Sequence, residues 1–165
     1  MRYRHTPAVP RYRIIPERSR VDVTARPALP GARIVVDEVS GTVDAGDDGG
    51  TGTLLLWLQV VVEDDTRTAG VPEWLRPGEI VAVEGVLESA RCTGDHLEIE
   101  TRFGMDGRRV PFTGAGRVRR PDGPDGPVEA VGITVVDPRS LGFALPPLVT
   151  YTLHTRWQIV LVPEP

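Results

Sequence analysis

Between His96 and Arg119 polar and apolar residues alternate with a period of two, which is the period of a strand with one dry and one wet face. Leu97, Ile99, Thr101, Phe103 and Met105 form one set, and His96, Glu98, Glu100, Arg102 and Gly104 the other. Asp106-Gly107 then supplies the pair favoured in a two-residue hairpin turn, where both central residues take positive φ. Beyond it the alternation resumes, with Val110, Phe112, Gly114, Gly116 and Val118 set against Arg109, Thr113, Arg117 and Arg119. The stretch is a β-hairpin, and a fold that holds it must offer its apolar face a sheet or barrel interior.

The rest of the chain follows the same pattern. Tyr12–Ile15 reads as a short strand stopped by Pro16, and Ser19–Ala28 as a half-buried strand. Arg33–Asp44 is β-branched, but its alternation slips at Asp37-Glu38, where a bulge is expected with Gly41 easing the bend. Asp44–Gly50 is a turn whose acidic residues lack the alternate ligands and closing glutamate of a calcium loop. Thr53–Val62 is greasy on both faces. Pro72-Glu-Trp-Leu suits a single helical turn, and Glu79–Cys92 is a strand flexed near Gly85. Pro121–Pro127 is a connector rich in turn residues. Ala130–Val136 is a strand, Asp137–Gly142 a one-turn helix with an Asp cap and a closing glycine, and Val149–Val162 the last strand.

About eight strands, short turns and no long helix predict an all-β fold, an eight-stranded antiparallel barrel with one or two single-turn helices. Residues 1–10 read as an N-terminal arm and 11–163 as the barrel domain. Eight staves enclose either packed side chains or a cavity for one small ligand, as in lipocalins. A chain of 165 residues makes one domain with a substantial core. The net charge of −4 argues against a nucleic-acid partner. All 19 cations are arginines, so lysine chemistry is excluded, and the single cysteine, Cys92, forms no internal disulfide. No apolar run approaches the length of a transmembrane segment and none near the start reads as a signal peptide, so a cytoplasmic location is expected.

Four segments, in this order, resemble the YceI-like family of lipocalin-like barrels associated with polyisoprenoid binding. They are Tyr12-Arg-Ile-Ile-Pro-Glu-Arg-Ser-Arg-Val-Asp-Val, Glu38-Val-Ser-Gly-Thr-Val, Gly107-Arg-Arg-Val-Pro-Phe and Ile133-Thr-Val-Val-Asp-Pro-Arg-Ser-Leu-Gly-Phe. The chain departs from the family at Asp65–Pro77, where a longer helical segment is compressed. The resemblance implies noncovalent binding, storage or transport of a long-chain apolar lipid inside the barrel, without catalytic residues or cofactor. It also implies that Leu54, Leu56, Leu58 and Val60 face inward, leaving Leu55 and Trp57 outside as a surface for a homodimer.

Inward-facing residues on the other strands complete the expected ligand-binding set. These are Leu97, Ile99 and Phe103 before the hairpin turn, Val110 and Phe112 after it, and Ile133, Tyr151, Leu153 and Trp157 near the end of the chain. Tyr151 is the expected polar contact, Trp74 and Phe143 the residues near the entrance, and glycines 114, 116 and 132 the thin part of the wall. His5, His96 and His154 have no metal-ligand spacing. A triad of His154, Asp137 and Ser140 lacks the strand–turn–helix setting of a nucleophile, and no enzyme is expected. Arg108, Arg109, Arg117, Arg119 and Arg120 cluster on the hairpin, as a solvated face or a contact for an anionic partner or headgroup. The alternative function is a protein-interaction module with a filled barrel and no ligand.

Overall fold

A computed structural model describes residues 9–46, 49–63 and 70–165. Nine strands form a single antiparallel sheet that closes on itself. They are β1 Arg11–Ile14, β2 Arg20–Arg26, β3 Ala32–Gly46, β4 Gly49–Val62, β5 Val81–Thr93, β6 His96–Met105, β7 Arg108–Arg119, β8 Val128–Val136 and β9 Thr152–Pro163. Among the described residues two 3-10 turns, Pro16–Arg18 and Pro138–Leu141, interrupt them. No helix among the described residues is long and apolar enough to cross a membrane. Of the expected N-terminal arm, residues 1–8 lie outside the described part, as do residues 64–69 of the compressed segment.

The barrel has eight staves because β1 and β2 share one. Ile14 pairs with Leu161 of β9, and Arg20 pairs with Gln158 further along the same strand. Pro16–Arg18 is the kink between the two halves, where proline fixes φ at the start of a turn. Ser19 accepts the Val160 amide at 3.0 Å through its hydroxyl, so the interrupted stave stays tied to β9. Closure falls to β1, which pairs with β3 through Arg11–Asp44, Tyr12–Val43 and Arg13–Thr42. β2 is laddered to β9 alone.

The central hairpin forms as the alternation requires. Met105 pairs with Arg108 across Asp106 and Gly107, whose φ values are +50° and +71°. The slip at Asp37 is a bulge: Val36 pairs with Leu58 and Glu38 with Trp57, leaving Asp37 unpaired in the ladder. Its carboxylate accepts both contacts from the Gln59 amide at 3.0 and 3.1 Å. At Asp137–Gly142 the Asp137 carboxylate accepts the Arg139 amide at 2.9 Å, and Gly142 closes the turn at φ +97°.

One expected orientation is corrected. Ile133 faces outward and is 36 % exposed, because β8 is set in the opposite phase. Directly paired residues of an antiparallel ladder share a face. Trp157 is buried inside and pairs with Gly132, so Gly132 faces inward, while Ile133 pairs with Arg156 on the outside. Val128, Ala130, Thr134 and Val136 therefore supply the inner face of β8.

Candidate functional site

The barrel interior contains a cavity of about 350 Å³ with an almost wholly apolar wall. Among the expected residues, Leu56, Leu58, Leu97, Ile99 and Phe103 line it, as do Phe112, Leu153 and Trp157. Val110 and Tyr151 do not line it, and Ile133 lies outside. Sequence reasoning missed much of the remaining wall, including Ile14, Val21, Val39, Ala90, Cys92 and Ile159. Their alternation was visible, but which strands share one lumen depends on long-range closure that no local pattern encodes.

The two ends of the cavity differ. At the end bearing the β6–β7 hairpin turn, the segments after β4 and β8 fold over the staves. Leu75 is 1 % exposed, and Leu141 and Phe143 are buried in the same cluster as Phe103, Met105 and Tyr151. The Trp74 indole donates to the Leu141 carbonyl at 2.7 Å, which joins the two segments. In the same layer the Gly70 carbonyl accepts the Ala144 amide at 2.9 Å. Trp74 and Phe143 thus belong to a floor rather than to an entrance. Tyr151 is buried in that floor, with the Arg139 guanidinium 5.9 Å from its ring centroid, and it is not the polar contact of the lumen.

The opposite end carries the β3–β4, β5–β6 and β7–β8 connections. Exposed Gly46, Gly94 and Arg120 border the cavity there, so it reaches the surface at this rim. Tyr12 is buried just inside, and its hydroxyl accepts from Arg120 at 3.4 Å. The Arg120 guanidinium also donates to the Pro124 carbonyl at 3.3 Å. Cys92 lines the wall; burial pushes its thiol up from its ordinary pKa, with Arg120 pulling the other way.

Two aromatic rings lie flat against the wall over glycines. A Cβ on Gly132 would stand 2.3 Å from the Trp157 ring, and one on Gly85 would stand 2.4 Å from the Phe103 ring. The Trp157 indole donates to the Thr134 hydroxyl at 3.2 Å, and the Phe103 and Phe112 rings lie 5.7 Å apart. Glycines 114 and 116 likewise receive close neighbours, Thr134 Oγ1 and the Val131 carbonyl. These glycines admit neighbouring atoms rather than leave the wall bare, and none of 114, 116 and 132 borders the cavity.

Catalytic arrangements do not assemble from the residues considered for them. His154 shares a hydrogen bond of 3.1 Å with Thr152, and the Ser140 hydroxyl donates to the Asp137 backbone carbonyl. Among the described residues no group of three His, Cys, Asp or Glu side chains stands ready for a metal ion. The outer face leaves Leu55 and Trp57 of β4 half-buried beside exposed Val86 of β5, while Val131, Ile133 and Val135 of β8 are exposed on the opposite side of the barrel. No protein-family model matches the chain, and no curated protein matches it significantly.

Proposed function

We propose that the protein binds an apolar lipid of polyisoprenoid type noncovalently inside the barrel, for storage or transport, as a YceI-like protein would. The observation that carries this reading is the cavity of about 350 Å³ with an apolar wall, a closed floor and an open rim. A dry engineered cavity of about 150 Å³ takes up benzene, so this space suits an apolar chain of roughly fifteen carbons, with anything longer emerging at the rim. Each buried methylene contributes about 0.8 kcal/mol, which gives such a chain micromolar binding or better after the cost of immobilisation. Three staves supply flat aromatic surface, Phe103, Phe112 and Trp157, against which unsaturated isoprene units pack.

Titration with farnesol should change the tryptophan fluorescence, since Trp157 lines the cavity. Native mass spectrometry of the purified protein, followed by organic extraction, should show a noncovalent lipid adduct. An unligated mass together with flat titrations would leave the alternative, an interaction module. The accompanying proposal of a homodimer through Leu55 and Trp57 predicts a dimeric mass by light scattering that Trp57→Ala reduces to the monomer.

A further inference from the structure

We propose that Arg120 is a headgroup anchor, so that the ligand is an amphiphile with one anionic group at the rim and its tail toward the floor. This rests on the lipid reading above and names the chemical class of the ligand. Among the described residues Arg120 is the one charged side chain that lines the cavity. It sits at the open rim, whereas Leu75, Leu141 and Phe143 close the other end. The lumen is therefore polarised from cation to hydrocarbon along its length.

Arg108 and Arg109 of the cluster stand at the hairpin turn, the far end of the barrel, and three arginines nearer Arg120 are paired. Arg11 pairs with Asp44 at 2.8 Å, Arg117 with Asp95 at 3.7 Å and Arg119 with Glu129 at 3.2 Å. Among the described residues no carboxylate lies within ion-pair distance of Arg120. It donates instead to two neutral oxygens, Tyr12 Oη at 3.4 Å and the Pro124 carbonyl at 3.3 Å, both near the outer limit for a hydrogen bond. A carboxylate or phosphate monoester would replace these with shorter, charge-assisted bonds to a planar fork of donors. The displaced Tyr12 hydroxyl, held inside the rim, is then placed to donate to the same headgroup.

Three ligands with the same tail test this: farnesol, farnesoate and farnesyl monophosphate, titrated against the full chain by tryptophan fluorescence. Both anions should bind about five- to tenfold more tightly than farnesol, a range set by partial solvent exposure of the pair. Arg120→Gln should bring the anions to the level at which the same variant binds farnesol, with circular dichroism reporting an intact barrel. Arg120→Lys separates the two anion sources: it should retain the monophosphate and weaken the carboxylate, which needs the bidentate fork. Should Arg120→Gln fail to fold, raising the salt on the unaltered protein should by itself shrink the preference for anions. Equal binding of all three ligands, or a preference that survives both Arg120→Gln and salt, overturns the anchor while leaving the lipid reading in place. Failure of all three to bind overturns both.

Discussion

Phe103 and Trp157 are large rings in a wall that has little thickness to give them, and each is accommodated by a glycine on the paired strand. Gly85 is the register partner of Phe103 and Gly132 that of Trp157, so the ring lies over backbone instead of standing into the lumen. A methyl at either glycine must push the ring away. Gly85→Ala and Gly132→Ala should therefore each destabilise by about 1–3 kcal/mol in urea unfolding, as overpacked sites do. Gly104→Ala is the control, since its nearest atom would be the Glu84 carbonyl at 3.8 Å, and stability there should stay the same or rise by a few tenths of a kcal/mol. Phe112 borders the open cavity on one side, so Phe112→Ala should cost less than the about 3–5 kcal/mol of a fully packed phenylalanine. The same residues mark where the sequence stopped being legible. Ala130–Val136 has β-branched or small residues on both faces; the one phase signal in β8 is the charge of Glu129, which lies just before that stretch and shares the outer face with Val131, Ile133 and Val135. The choice is made by Trp157, a residue of another strand, which requires Gly132 beneath it and so turns Ile133 outward. Arg120 was hidden for a related reason. It is one of five arginines near one hairpin, and what sets it apart is its place on the cavity rim together with the pairing of Arg117 and Arg119 to Asp95 and Glu129.

At the scale of elements, alternation made the staves legible and the turn residues fixed their joints, down to the bulge at Asp37 and the Asp106-Gly107 turn. What alternation cannot express is that two separated strands act as one stave, because that depends on a partner more than a hundred residues away. Strand β1 closes the barrel with few backbone pairs, and its outer end is held by the Arg11–Asp44 contact at 2.8 Å. The Arg11 hydrogen bond holds the Asp44 carboxyl below its ordinary value of 3.8. A depressed carboxyl stabilises the fold above its unfolded pKa, and that contribution is lost as pH falls through the folded value. Protection factors in β1, taken against the intrinsic exchange rate at each pH, should therefore stay constant near neutrality and fall only in acid below the usual carboxylate range. Because the pair is exposed, Asp44→Asn should change global stability little and act mainly on this local fraying. The floor is a different case. Leu75 is almost completely covered and anchors a segment whose other ties are the Trp74–Leu141 hydrogen bond and the backbone bonds Ala144–Gly70 and Gly78–Val60. Leu75→Ala should cost about 2–5 kcal/mol, with unfolding followed by circular dichroism.

At the scale of the whole molecule, a barrel of eight staves stands at the boundary between a filled core and a binding cavity, and small changes of side-chain volume decide between them. Here the buried residues form two clusters. One gathers at the floor around Leu75, Phe103 and Tyr151; the other surrounds Ile14, Leu97 and Trp157 nearer the rim, with the cavity along their inner surfaces. Ala90 projects into that space from β5, opposite Ile99 in the ladder. Ala90→Phe is thus a test of the interior as a whole. In an empty lumen the added ring occupies free volume and meets only the apolar wall, so unfolding stability should be unchanged or slightly raised. Farnesol binding, read by fluorescence, should fall by at least tenfold, because about 1.4 kcal/mol is less than two methylenes of displaced contact. In a core that is closed in solution, the same substitution overpacks and should destabilise by about 1–3 kcal/mol. Loss of stability with no ligand bound by the parent protein would favour the filled module; retained stability with lost binding would favour the carrier. Alkylation of Cys92 supplies a second reading from the same wall. Its raised thiol pKa leaves less thiolate at neutral pH, so reaction with iodoacetamide should be slow, quicken as pH rises, and slow again when farnesol occupies the lumen.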